Sequence, residues 1–224
     1  MKISALAKQY LTWFGARGSS PKTREGYDLT YRQYVTFLEA HGRTDDLRHF
    51  TPETIDAFAT ACAMTGLKAG TVNNSLSRLH SLGEFGKKTK CPMGDYYLVE
   101  NPLDRVVRVK RQRPVRKYLY ASELKQLLAF EGTAAERLAL AVLVDSVLRV
   151  SEVCNANAED LTFDGGRALL AVVVKGGRSR TITLDAGLAQ RSTRALAIRE
   201  ARPASPLIVS EQGHRYPRTA LSEM

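Results

Sequence analysis

Cysteine is sparse and unpatterned in this chain: Cys62, Cys91 and Cys154 are the three present, far apart, and no C-x-x-C pair occurs. That argues against a disulfide framework and a thiolate zinc site, so no metal is expected and the thiols read as small apolar fillers. Long hydrophobic runs are missing too. No stretch of about 18 apolar residues is available to cross a bilayer. The N-terminus, MKISALAKQYLTWFGARG, is amphipathic and interrupted by Lys8 and Gln9 rather than built as a signal peptide. No membrane partner is therefore expected, and the chain is placed in the cytoplasm, on nucleic acid. Internal repeats and low-complexity tracts are also lacking.

What is present is enough apolar material for a packed protein: 44% of the 224 residues are hydrophobic, a length that accommodates two ordinary domains. The formal net charge is +10, a balance that favours phosphate-rich partners. The excess is concentrated. Residues 105 to 117 carry seven Lys or Arg and no acid, namely Arg105, Arg108, Lys110, Arg111, Arg113, Arg116 and Lys117, interrupted by Pro114. Such a segment reads either as a solvated, self-repelling connector or as a polyanion-binding linker, and its place between two differently textured halves favours DNA.

Residues 1 to 104 read as helices throughout, because apolar side chains recur at three- and four-residue intervals: Ile3, Leu6, Tyr10 and Phe14, then Tyr27, Tyr31, Tyr34 and Leu38. A third helix opens at Thr51-Pro52-Glu53 with a capping hydroxyl, a proline whose missing N–H costs nothing and an acid facing the dipole, and would bury Ile55, Phe58 and Cys62. A fourth, from about Ala69 to Phe85, turns Val72, Leu76, Leu79 and Leu82 inward and leaves Thr71, Asn73, Asn74, Ser77 and Arg78 on its other faces. Short polar side chains beside an arginine suit a helix lying against DNA, although each alone fits an ordinary wet surface.

Beyond residue 117 the texture changes. Helices are expected near 121 to 130 and 134 to 147, the second opened by a capping box in Thr133-Ala134-Ala135-Glu136. Ala168 to Val174 is an apolar, β-branched run and Arg180 to Leu184 alternates, so a β-hairpin is expected with Lys175 at its turn. A helix from about Ala186 to Ala201 follows, and residues from Pro217 to Met224 read as a helix only begun. A domain ending in that way is expected to be incomplete.

The chemistry-bearing segment is ALAVLVDSVLRVSEVCNANAEDL, where a wholly apolar helix runs into Arg149 with Glu152 three positions on. A guanidinium buried beside a core needs a partner anion, and the bland reading is an internal Arg149–Glu152 pair at helical spacing. Lys175 likewise reads, taken alone, as a surface lysine in a turn.

Together these residues resemble the tyrosine recombinases, or phage integrases. Ser146-Val147-Leu148-Arg149-Val150-Ser151-Glu152 is similar to the family's Gly-Leu-Arg-Ile-Ser-Glu box, matching it on Leu148, Arg149, Ser151 and Glu152. Twenty-six positions after Arg149, Val174-Lys175-Gly176-Gly177-Arg178-Ser179-Arg180 looks like its hairpin motif Gly-Lys-Gly-x-Lys-x-Arg. Lys22-Thr23, Thr71-Val72-Asn73 and Asn101-Pro102 look like landmarks of its helical core-binding domain, so the resemblance covers essentially the whole chain.

The resemblance implies a mostly α fold: a helical SAM-like core-binding domain at 1–104, a basic linker at 105–117, and at 118–224 the first part of a mixed α+β catalytic domain. It implies a C-shaped clamp on duplex DNA, a tetrameric homo-oligomeric synapse, no cofactor, and a simple layout without a separate arm-binding domain. Arg149 would bind the scissile phosphate, Lys175 would protonate the leaving 5′ oxygen, and Glu152 would hold the arginine in place. Lys22, Arg24, Thr71, Asn73, Asn74, Arg78, Arg108, Lys110, Arg111, Arg113, Lys117, Arg178 and Arg180 would contact DNA. The physics agrees with these roles: a planar, permanently charged, bidentate donor suits charge growing on phosphoryl oxygens, and a lysine among cations can give up a proton near neutral pH.

The family's His-x-x-Arg does not occur in these residues, and His214-Arg215-Tyr216 lies in the wrong context to supply the nucleophile. The expectation is therefore a chain that binds but does not cleave, either a recombinase lacking its C-terminal part or a non-catalytic DNA-binding regulator derived from one. A third possibility, a helical protein that binds acidic proteins, predicts no protection of DNA.

Overall fold

The computed structural model describes residues 1–111, 118–146, 148–164, 167–174, 177–198, 202–210 and 212–217. They fall in two units, Met1–Val115 and Arg116–Met224.

The first unit holds four long helices, α1 (Ile3–Ala16), α2 (Pro21–Ala40), α3 (Pro52–Met64) and α4 (Ala69–Lys88). The predicted stripes are its core: Ile3, Leu6, Tyr10, Tyr31, Tyr34, Leu38, Ile55, Phe58, Val72, Leu76, Leu79 and Leu82 are all buried. Cys62 is only partly so. The starts of α2 and α3 have a chemical reason. Ser20 accepts the Thr23 N–H at 3.2 Å ahead of Pro21, and Thr51 accepts from Thr54 N–H at 3.4 Å while its own N–H reaches Thr54 Oγ1 at 3.2 Å. The buried Tyr34 hydroxyl pairs with Thr54 Oγ1 at 2.7 Å, as a phenol inside a core must.

The second unit contains α5 (Ala121–Leu128), α6 (Ala134–Ser146), α7 (Val150–Asn155), an antiparallel sheet of β1 (Leu161–Asp164), β2 (Arg167–Val173) and β3 (Ser179–Leu184) in the order β1-β2-β3, and α8 (Ala186–Ile198). Thr133 and Glu136 form the expected capping box, Thr133 N–H to Glu136 Oε2 at 2.8 Å and Glu136 N–H to Thr133 Oγ1 at 3.2 Å. Alternation puts Ala168, Leu170, Val172, Ile182 and Leu184 on one buried face. They pack with Leu138, Ala139 and Val142 of α6, Val153 and Cys154 of α7, and Leu188 of α8. The hairpin register pairs Leu170 with Ile182 and Val173 with Ser179. Its turn closes through Val174 N–H to Arg178 O at 2.8 Å and turns at Gly177, whose φ of 75° suits glycine. Lys175 itself lies outside the described residues, as do residues 218–224.

One expectation is corrected, and one element was not foreseen. The apolar helix does not run into Arg149: α6 ends at Ser146 and α7 begins at Val150, with Arg149 as its extended N-cap at φ −75° and ψ 148°. Strand β1 went unread, because only its first residue is buried and so no alternation marks it.

Candidate nucleic-acid interface

The break before α7 decides how Arg149 is presented. As an N-cap it leaves the helical path, and its side chain is 69% exposed while that of Glu152 is 6% exposed. The expectation of a buried guanidinium is therefore reversed: the acid is inside and the arginine outside. Glu152 Oε2 accepts the Arg149 backbone N–H at 2.9 Å and Oε1 accepts Nη1 at 2.8 Å. The carboxylate thus satisfies the first turn of α7 and steadies the guanidinium at once. The backbone hydrogen bond from Arg149, then its guanidinium and the charge of Arg180, hold the Glu152 carboxyl below the usual carboxylate range against the opposing effect of burial.

Arg180 is exposed on β3 opposite Val172. Arg178 is exposed at the hairpin turn. Arg149 is thus an outward-facing, preorganised donor held by a buried anion.

The segment carrying Arg215 supports α7 from behind. Arg215 Nη1 donates to Cys154 O at 2.8 Å, and its Nη2 donates to Asn157 Oδ1 at 2.5 Å. Tyr216 is 9% exposed and donates its hydroxyl to Glu136 Oε1 at 2.5 Å. Sequence reasoning gave neither residue a structural role, since their partners lie 61 and 80 positions away.

In the first unit the predicted contacts divide. Lys22 is exposed on the first turn of α2, and Thr71 and Asn74 are exposed on α4. Asn73 is corrected: it is 7% exposed, with Nδ2 donating to Val109 O at 2.7 Å and Oδ1 accepting Val109 N–H at 3.0 Å. Its amide is spent inside the protein. Arg78 is likewise turned toward α2, with Nη1 donating to Thr30 Oγ1 at 2.9 Å and its guanidinium 5.8 Å from the Tyr27 ring centre. Arg24 is half-buried against Gly15, with its Nε buried and unpaired among the described residues.

The described part of the basic segment runs along α4. Arg108 Nη1 donates to Asn73 O at 2.9 Å and Ser77 Oγ at 2.6 Å, and Arg111 Nη2 donates to Gly70 O at 3.2 Å. Lys110 is exposed between them. Arg113 and Lys117 lie outside the described residues.

One group of side chains could be mistaken for a metal centre: His80, Glu84 and Asp104 bring ligand atoms within 4.8 Å of one another. Glu84 already accepts from Lys88 at 2.9 Å, Lys87 at 3.1 Å and Asn101 at 3.1 Å. Those bonds hold its pKa down at about 2, with Lys88 the largest cause. Two ammonium groups at one carboxylate make this an ion-pair network rather than a cation site.

The sequence profile described as the phage integrase family matches residues 117–224, and that of the phage integrase N-terminal SAM-like domain matches residues 7–90. The tyrosine recombinase XerC of Mesorhizobium japonicum is 29% identical over 179 residues, covering 74% of this chain and 55% of that protein. XerC of Mycobacterium sp. (strain JLS) is 27% identical over 222 residues, 91% of this chain and 70% of the relative. Among solved structures, a lambda integrase tetramer bound to a Holliday junction superposes with a TM-score of 0.76 at 19% identity, covering 100% of this chain and 64% of that one. XerH bound to palindromic difH substrate gives 0.71 at 19%, covering 92% and 61%. These two likenesses are of fold. The chain spans 55% of the length of the Mesorhizobium relative.

Proposed function

Because the chain belongs to the phage integrase family of tyrosine recombinases, we propose that it binds duplex DNA at a recombination site and takes part in site-specific recombination. Arg149 binds the scissile phosphate and Glu152 fixes that guanidinium, with Arg178 and Arg180 as neighbouring phosphate contacts; in the full reaction, where a tyrosine beyond these residues would attack the phosphorus, Lys175 would give its proton to the 5′ oxygen expelled. Lys22, Thr71, Asn74 and the basic segment add further grip on the DNA backbone. The observation that carries the reading is the exposed Arg149 held through two hydrogen bonds by the buried Glu152. A donor oriented before the substrate arrives costs no reorganisation when charge grows on the phosphoryl oxygens.

The 224 residues contain no His-x-x-Arg, and the Tyr216 hydroxyl is engaged by Glu136. They accordingly bind without cleaving. On DNA the protein works in the cytoplasm as a homo-oligomer, a tetramer at synapsis, an assembly supported by the tetrameric lambda integrase whose fold it shares. No cofactor is part of this reading: binding needs none, and in the full reaction a phosphotyrosyl link would conserve the energy of the broken phosphodiester.

A mobility-shift titration on duplex DNA beside covalent trapping on a nicked substrate tests this. Salt-sensitive complexes without a covalent adduct are expected, and failure to shift duplex DNA at low salt contradicts the reading.

A further inference from the structure

The chain from Asn101 to Arg111 travels back along α4 instead of leaving it. Asn101, 1% exposed, sits over Gly83, where a Cβ would lie 2.1 Å from its Oδ1, and donates Nδ2 to His80 O at 3.1 Å. Asp104 lies 3.5 Å from the His80 ring. Further on, Arg108 reaches Ser77 and the Asn73 carbonyl, Val109 meets Asn73, and Arg111 meets Gly70. The stretch of α4 from Gly83 back to Gly70, about 20 Å long, is thus covered by a strap running antiparallel to it. Val106 and Val109 pack down on the helical core, while Val107, Arg108, Lys110 and Arg111 are exposed.

Most of these contacts are single bonds from long side chains, which surrender rotamer freedom and yield little. Asn73 differs. Its buried amide pairs with both polar groups of Val109, as a neighbouring β-strand would, and a buried amide left without those partners is costly. We infer that Asn73 is a positioning residue: a latch that holds the basic strap on α4, so that Arg108, Lys110 and Arg111 form a fixed cationic row matched to a phosphate backbone rather than a free polycation. The role in DNA binding rests on the function proposed above. The latch itself does not.

The test uses the whole chain and two variants, Asn73→Ala, which removes both hydrogen bonds to Val109, and Val109→Pro, which removes the N–H that donates to Asn73 Oδ1 without touching a helix. Without DNA, trypsin cuts after Lys110 and Arg111 are followed by mass spectrometry, because a proline at position 109 itself blocks any cut after Arg108. Each variant is expected to raise their rate about tenfold, the equivalent of losing one buried hydrogen-bonded partner, and the double variant to add little more because both remove the same interaction. Wild-type rates in Val109→Pro, or strictly multiplying effects in the double variant, overturn the latch. On duplex DNA each variant is expected to bind about tenfold more weakly with an unchanged salt slope, because the same cations remain but are no longer prearranged. Faster cleavage with undiminished affinity overturns the positioning role. If the wild-type chain itself fails to bind duplex DNA, the functional reading falls and the positioning role with it, while the cleavage rates still decide the latch.

Discussion

Arg149 is held at the surface by an acid that is itself inside: Glu152 takes both the backbone N–H and the guanidinium of Arg149, at 2.9 and 2.8 Å. Replacing Glu152 by Gln keeps its volume but removes the charge that matches the arginine and weakens the cap of α7. Chemical denaturation should show a loss of about 1–3 kcal/mol, the scale for a compromised buried partner. Duplex affinity should fall in the same variant.

The pH dependence of that loss has a definite sign. The Glu152 carboxyl is depressed in the folded protein relative to an ordinary value of about 4.3. Its stabilisation is fully present above the unfolded value and disappears as pH falls through the lower folded one. The stability gap between wild type and Glu152→Gln should therefore be constant from about pH 7 to 5 and close below about pH 4. A gap that widened in acid would assign the effect to another group.

Gly83 has no room for a side chain, because Asn101 occupies the space that a Cβ would need. Gly83→Ala should lower stability by about 1–3 kcal/mol, as overpacking does, despite the better helix propensity of alanine. A thermal melt unchanged or raised by this substitution would show that Asn101 yields freely.

Neutralising Arg108, Lys110 and Arg111 together should flatten the plot of log K against log salt by up to about 2.7, some 0.9 for each phosphate released. Since Arg108 and Arg111 also bond α4, the strap should loosen as well. An unchanged slope would remove these three from the interface.

Tyr216→Phe should leave DNA binding intact, because the hydroxyl it loses is spent on Glu136. No covalent complex should form with either protein on a nicked substrate. A trapped adduct that maps to Tyr216 in the wild-type chain would make it a nucleophile.

Much of the architecture is legible in the residues because helices with wide apolar stripes announce themselves: Val72, Leu76, Leu79 and Leu82 could hardly face anywhere but inward. The Arg149–Glu152 pair was legible as a pair. Which member is buried was not, because that depends on Arg149 being the extended N-cap of α7, which the spacing of the two residues does not reveal. Asn73 misleads for a related reason. A short polar side chain on an amphipathic helix reads as solvated, and the partner that buries it lies 36 residues further along the chain. Strand β1, four residues long with one buried side chain, carries no periodic signal at all.

The central claim is that the Arg149 guanidinium meets a DNA phosphate. A fluorescence-anisotropy titration of duplex DNA across a salt series, for the wild-type chain and Arg149→Ala, tests it most directly. The variant should bind more weakly with a slope shallower by about 0.9, as expected when one phosphate fewer is neutralised. Superimposable curves for the two proteins would contradict the account.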